Sequence, residues 1–105
     1  MLQELIERAV ILPGELYGWI IPRRTLAHHQ KKKQRLSREE SDRVSRVVRI
    51  YAMALETLGE EEKAKRWLRR PLRQFGGRTP MATLETDLGA HQVVLLGRIG
   101  HGLAA

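Results

Sequence analysis

The chain has 105 residues, no cysteine, and 19 Lys and Arg against 12 Asp and Glu, a net charge of +7 with histidine neutral. That length makes one domain, or two very small lobes sharing a core, of modest stability and suited to burial against a partner or a second copy. Without cysteine there is no disulfide framework and no thiolate metal site. Val10 to Leu12 and Trp19 to Ile21 are apolar runs too short for a signal peptide or a membrane span, so a cytoplasmic chain with no membrane partner is expected.

Leu2, Leu5, Ile6, Ala9 and Val10 share a face and predict a first helix over Leu2 to Leu12, about three turns long and ended by Pro13 and Gly14. Leu16, Trp19 and Ile20 predict a short second helix over Glu15 to Ile20. Pro22 then breaks the chain, and Thr25 is placed to cap a third helix from about Leu26 into the lysines. Short helix, turn and basic helix are the outline of a helix-turn-helix unit, whose second helix enters the major groove. On that outline Arg23, Arg24, Thr25, His28, His29 and Gln30 reach base edges or phosphates, while Lys31, Lys32, Lys33 and Arg35 hold the phosphate backbone. Between Pro22 and Arg49 ten basic residues face only Glu39, Glu40 and Asp42, a local +7 that equals the net charge of the whole chain. Such a field attracts polyanions, nucleic acid above all; the plainer alternative is a solvated basic helix face.

The longest periodic segment is Ser37 to Leu58. Ser37 and Glu40 have the spacing of a capping box, and Val44, Val47, Val48, Tyr51, Leu55 and Leu58 recur at steps of three and four. Gly59 stands where a left-handed C-cap belongs, so about six turns of amphipathic helix are expected. Its apolar stripe allows packing within one chain or dimerisation. The next helix has Glu60, Glu61 and Glu62 at its start and Lys63, Lys65, Arg66, Arg69 and Arg70 towards its end, the order the helix dipole favours. Ala64, Trp67 and Leu68 form its buried face and Pro71 ends it. Gly76 and Gly77 permit backbone conformations closed to other residues, and Thr79-Pro80 reads as an N-cap followed by proline at the first helical position, opening a short helix with Met81 and Leu84 inward. Thr86 or Asp87 caps a last helix running to about Arg98 or Ile99, apolar almost all round. Gly89 and Gly97 within it are costly by propensity, and close approach of another backbone would account for them. Gly100 to Ala105 are expected to form a mobile tail of small residues.

These residues carry a resemblance. Ala64, Trp67-Leu68, Pro71, Gly76-Gly77-Arg78-Thr79-Pro80, Leu84-Glu85-Thr86, Gly89-Ala90, Val93, Leu96-Gly97-Arg98-Ile99 and Gly102, in that order, look like the toxin-binding domain of the Xre/MbcA/ParS antitoxin family, found in RES-Xre toxin-antitoxin pairs. Pro22 to Arg24, Thr25-Leu26 and Arg35 to Arg43 resemble the Xre-type lobe of the same family. The resemblance covers roughly residues 14 to 103. It departs from the family at Leu72, where a polar residue is frequent, and in the roughly 36 residues before the long helix, short for a full Xre lobe.

The fold so implied is all-α: an Xre-like helix-turn-helix lobe over 1–36, a central helix over 37–58 and a toxin-binding lobe over 59–105. The function implied is that of a type II antitoxin. It binds a RES-domain toxin acting on NAD, as an NAD-degrading enzyme or an ADP-ribosyltransferase, occludes its active site, and binds operator DNA as a homodimer or hetero-oligomer with toxin. Carried over by position, Arg78, Arg98, His101, Gly102 and Leu103 face the toxin, and Trp67, Leu68, Pro80 and Leu84 are core. The alternative is a stand-alone small basic helix-turn-helix transcriptional regulator. No enzyme is expected, nor a metal or cofactor: His28, His29, His91 and His101 lack ligand spacing, no nucleophile elbow or phosphate-loop motif occurs, and Glu60 to Glu62 are helix-start charges.

Overall fold

The computed structural model describes residues 2–86 and 89–94, and every regular element among them is helical. The chain divides into two compact units, Met1–Ser45 and Arg46–Ala105. The longest helix runs through that division.

In the first unit, α1 spans Leu2–Glu7, shorter than its apolar pattern predicts. The backbone explains the early stop. Ala9 is left-handed, with φ of 59°, the Ala9 N–H donates to the Ile6 carbonyl (3.1 Å) and the Val10 N–H donates to the Leu5 carbonyl (2.9 Å). This is a Schellman ending, in which Val10 and Leu5 are the apolar pair that accompanies the two bonds, and both are buried. Pro13 therefore opens the next helix rather than closing the first. α2 covers Pro13–Glu15, with Pro13 at its first position and the Glu15 carboxylate accepting from the Leu12 N–H (2.9 Å). It continues as a π-helical turn, Leu16–Ile20, closed where the Ile21 N–H reaches the Leu16 carbonyl at 2.9 Å.

α3 spans Arg23–Lys32 and so starts earlier than Leu26. Pro22, extended at ψ 145°, takes the cap position with no side-chain bond, and its carbonyl accepts from the Leu26 N–H at 3.0 Å. Thr25 is thus inside the first turn and is not the cap. The helix ends on left-handed Lys33 (φ 55°), beyond which the Gln34 N–H donates to the His29 carbonyl at 2.8 Å. The buried apolar side chains of this unit are Leu5, Val10, Ile11, Leu16, Ile20, Ile21 and Val44.

α4 spans Arg38–Leu58 and opens with the expected capping box: the Ser37 hydroxyl accepts from the Glu40 N–H (3.2 Å) and the Glu40 carboxylate accepts from the Ser37 N–H (2.7 Å). Gly59, at φ 78°, closes it with its N–H on the Leu55 carbonyl at 2.8 Å. Its buried side is centred on Val44, Val47, Ile50, Tyr51 and Ala54, whereas Val48, Leu55 and Leu58 are only half-buried. The stripe is thus rotated slightly from the one read by hydrophobicity alone, since Ala54 contributes fit rather than apolar bulk.

In the second unit α5 spans Glu61–Leu68, with Ala64, Trp67 and Leu68 buried. A loop then turns through a 3₁₀ turn, Arg73–Phe75, and left-handed Gly76 and Gly77 (φ 65° and 86°), and is closed by the Leu72 N–H on the Arg78 carbonyl (3.1 Å) and the Gly77 N–H on the Leu72 carbonyl (2.9 Å). Leu72 itself is buried, which an apolar residue satisfies at this point. α6 spans Pro80–Thr83, capped by the Thr79 hydroxyl accepting from the Ala82 N–H at 3.1 Å. Thr86 takes the same role for the helical residues 89–94, its hydroxyl accepting from the Gly89 N–H at 3.0 Å. A Cβ on Gly89 would lie 1.8 Å from the Thr83 carbonyl oxygen, so close backbone approach does account for this glycine. Asp87, Gly97, the continuation to Arg98 or Ile99 and the Gly100 to Ala105 tail lie outside the described residues.

Candidate nucleic-acid and partner interfaces

Helical geometry sorts the residues of α3 into two faces. Arg24, His28 and Lys31 recur at steps of four and three, which places them on one side of a 3.6-residue helix, and all three are exposed, as is Lys32 at the helix end. Arg23 flanks them at the head of the helix and is exposed too, as are Lys33 and Arg35 beyond its end. Thr25, Leu26 and His29 fall on the opposite side and are half-buried. Their spacing, i to i+4 and i to i+3, is that of the inward face.

His29 therefore leaves the group with which its sequence position placed it. Its ring is turned inward, with Nδ1 at 3.7 Å from the Glu40 carboxylate, the same carboxylate that caps α4. The exposed face carries Arg23, Arg24, His28, Lys31, Lys32, Lys33 and Arg35, with no acidic residue from Pro22 to Ser37. Lys31 and Lys32 complement the C-terminal end of the helix dipole, but Arg23 and Arg24 oppose its N-terminal end.

Two other arginines of the basic segment serve the fold instead. The Arg43 guanidinium donates to the Ile20 carbonyl at 3.1 Å, satisfying an acceptor at the end of the π-helical turn. Arg46 is buried and donates through Nε to the Leu84 carbonyl (2.9 Å) and through a terminal nitrogen to the Glu85 carbonyl (3.0 Å), holding the backbone just after α6. Sequence reasoning counted both as part of the cationic field. The signal for Arg46 was its place between Val44 and Val47 on an apolar helix; nothing in the sequence marks Arg43. Tyr17 was also missed. It is half-buried on the π-helical turn, and the Arg23 guanidinium carbon lies 4.6 Å from its ring centroid.

In the second unit Arg78 is exposed at the mouth of the glycine loop, donating to the Ala82 carbonyl at 2.9 Å. Trp67, Leu68, Pro80 and Leu84 are all buried. Arg98, His101, Gly102 and Leu103 lie outside the described residues.

Residues 2–49 match the antitoxin Xre-like helix-turn-helix domain, and residues 53–102 match the antitoxin Xre/MbcA/ParS C-terminal toxin-binding domain. The chain is 47% identical over 92 residues to a protein named Antitoxin Xre from Pseudomonas putida, a match covering 88% of this chain and 57% of the relative. It is 38% identical over 85 residues to an Antitoxin Xre of Yersinia enterocolitica, with 79% and 57% covered, and 39% identical over 75 residues to one of Photorhabdus laumondii, with 70% and 51% covered. The chain thus spans little more than half the length of these curated relatives. With a helix-turn-helix match over residues 2–49 and a toxin-binding match over residues 53–102, the chain belongs to the Xre/MbcA/ParS antitoxin family.

Proposed function

We propose that the chain acts as the antitoxin of a type II toxin-antitoxin pair, binding and neutralising a RES-domain toxin that acts on NAD, and that it also binds its own operator DNA. The observation that carries the reading is the pairing of a toxin-binding match over residues 53–102 with a basic helix, α3, whose exposed side is free of acidic residues. Neutralisation proceeds by burial: the last helix and the residues after it, with Arg78, Arg98, His101, Gly102 and Leu103, fill or cover the toxin's NAD cleft. Occupying a cleft needs no chemistry from the occupant, so the chain has no reaction of its own to perform. An interface of about 1,600 Å² in total suffices for a stable complex. Arg23, Arg24, His28, Lys31, Lys32, Lys33 and Arg35 contact operator DNA, with Thr25 and His29 supporting α3 from its inner side. The working assembly is a homodimer or a hetero-oligomer with toxin, in the cytoplasm.

The deciding experiment measures NAD consumption by the protein encoded beside this one, with the chain added at known ratios. Full inhibition at a fixed molar ratio is the expected result and gives the stoichiometry; no inhibition by folded chain refutes the antitoxin reading. The basic face of α3 also supports a second reading, a small stand-alone transcriptional regulator, and that reading alone survives if duplex DNA is bound and the toxin is untouched.

A further inference from the structure

Helix stability does not account for an arginine at the head of α3. Arg23 is the first helical residue, where a positive charge opposes the dipole, no acidic residue stands in the first turn, and its side chain is exposed. What it does have is a platform. The ring of Tyr17 lies beneath its guanidinium at 4.6 Å, inside the range of a cation–π contact.

The platform is fixed in place by its surroundings. Leu16, Ile20 and Ile21, on either side of it in sequence, are 2%, 1% and 0% exposed. The π-helical turn is closed by its own backbone bond from Ile21 to Leu16, and the Ile20 carbonyl is held by Arg43 from α4. Pro22 then fixes the entry into α3. A long arginine side chain ordinarily surrenders much of its rotamer freedom when it grips a phosphate, whereas one already resting on a ring has surrendered part of it beforehand. Contact through the guanidinium face leaves N–H donors at its edge for a phosphate oxygen.

We propose that Tyr17 is a positioning residue for nucleic-acid binding: its ring holds the Arg23 guanidinium at the head of α3, ready to donate to a backbone phosphate. The inference rests on the reading of α3 as the DNA-contacting helix.

The test is a double-mutant cycle on the full chain, read as affinity for a labelled random-sequence duplex and for the duplex upstream of its own gene, each over a range of salt. Tyr17→Leu should weaken binding about two- to five-fold, the range a partly exposed cation–π contact supplies. Tyr17→Phe keeps the ring and should bind as the wild type does. Arg23→Ala should weaken binding and reduce the magnitude of the log-log salt slope by about 0.9, one phosphate's worth. In the Arg23→Ala background Tyr17→Leu should then change nothing. A loss of equal size in both backgrounds, whether from unfolding or from Tyr17 touching DNA itself, overturns the proposal, as does a Tyr17→Phe variant that binds as poorly as Tyr17→Leu. If the wild-type chain retains neither duplex at low salt, the DNA reading itself falls, and that result is distinct from additive losses in a chain that binds.

Discussion

Replacing Gly89 by alanine sets two effects of opposite sign against each other, and the structure says which one wins. By helix propensity alone the change is favourable by about 1 kcal/mol. The new methyl, however, would lie 1.8 Å from the Thr83 carbonyl oxygen, 2.8 Å from its carbon and 3.1 Å from the Thr86 hydroxyl oxygen. Two of these atoms are backbone, at the end of α6, and cannot rotate out of the way. The helical residues 89–94 must back off by more than an ångström, which strains the Thr86 cap and loosens Ala90 and Val93, 5% and 0% exposed. Losing a cap costs about 1 kcal/mol, and partial loss of a buried valine adds about 1 to 2 kcal/mol. Overpacking without relaxation falls in the same range. Net of the propensity gain, Gly89→Ala should destabilise the chain by about 1 to 2 kcal/mol, lowering Tm by roughly 5 to 15 °C for a protein of this size. Thermal unfolding followed by far-ultraviolet circular dichroism reads this directly. A Tm that is unchanged or higher would mean that the approach of residue 89 to α6 is not as close as described, and that propensity alone governs the site.

Ala9→Gly should raise stability by about 0.5 to 1 kcal/mol, because Ala9 holds a left-handed conformation that glycine adopts freely; a decrease on urea unfolding would contradict the Schellman ending of α1. Lys33→Gly, at the equivalent point after α3, should likewise stabilise while removing one cation, so duplex binding weakens as the melting temperature rises; if both fall together, the left-handed ending is not what constrains that position. Arg46→Met should lower stability by about 2 to 4 kcal/mol, since it leaves the Leu84 and Glu85 carbonyls without their charged donor, whereas Arg49→Met, exposed on the same helix, should change it by less than about 0.5 kcal/mol; equal effects would refute the distinction. Deleting Gly100 to Ala105 should reduce neutralisation of the toxin more than it reduces helicity, and equal losses would make those residues structural instead.

The elements legible in the sequence are those whose ends carry chemistry. The Ser37 and Glu40 box, Gly59, Thr79 with Pro80, and the glycine at 89 each satisfy a backbone group or a close approach that only a few residue types can satisfy, so composition and spacing reveal them. The end of α1 was not legible, because Ala9 in a left-handed conformation looks like any other alanine in an apolar stripe. Thr25 read as a cap by residue type, yet Pro22 already fixed the entry of the helix three residues before it.

The cationic segment shows most clearly where residue type stops being informative. Its ten basic side chains are equivalent in a charge count, but a guanidinium is also a planar array of donors, and the fold divides its arginines by what lies within reach. Where backbone carbonyls lie within reach of a donor, as at Leu84, Glu85 and Ile20, Arg46 and Arg43 turn to them, and their donors are taken up by the backbone. Where a ring is near, Arg23 rests on it. His29 similarly turns to Glu40. What remains outward on α3 and just beyond it is a smaller set, Arg24, His28, Lys31, Lys32, Lys33 and Arg35, together with the oriented Arg23. A binding surface inferred from local net charge is therefore too broad in this chain. Contact with a phosphate depends on which cations the interior has left free, and both cations it draws onto buried or half-buried backbone are arginines, whose planar fork can satisfy two carbonyls at once, while the three lysines of the segment all stay exposed.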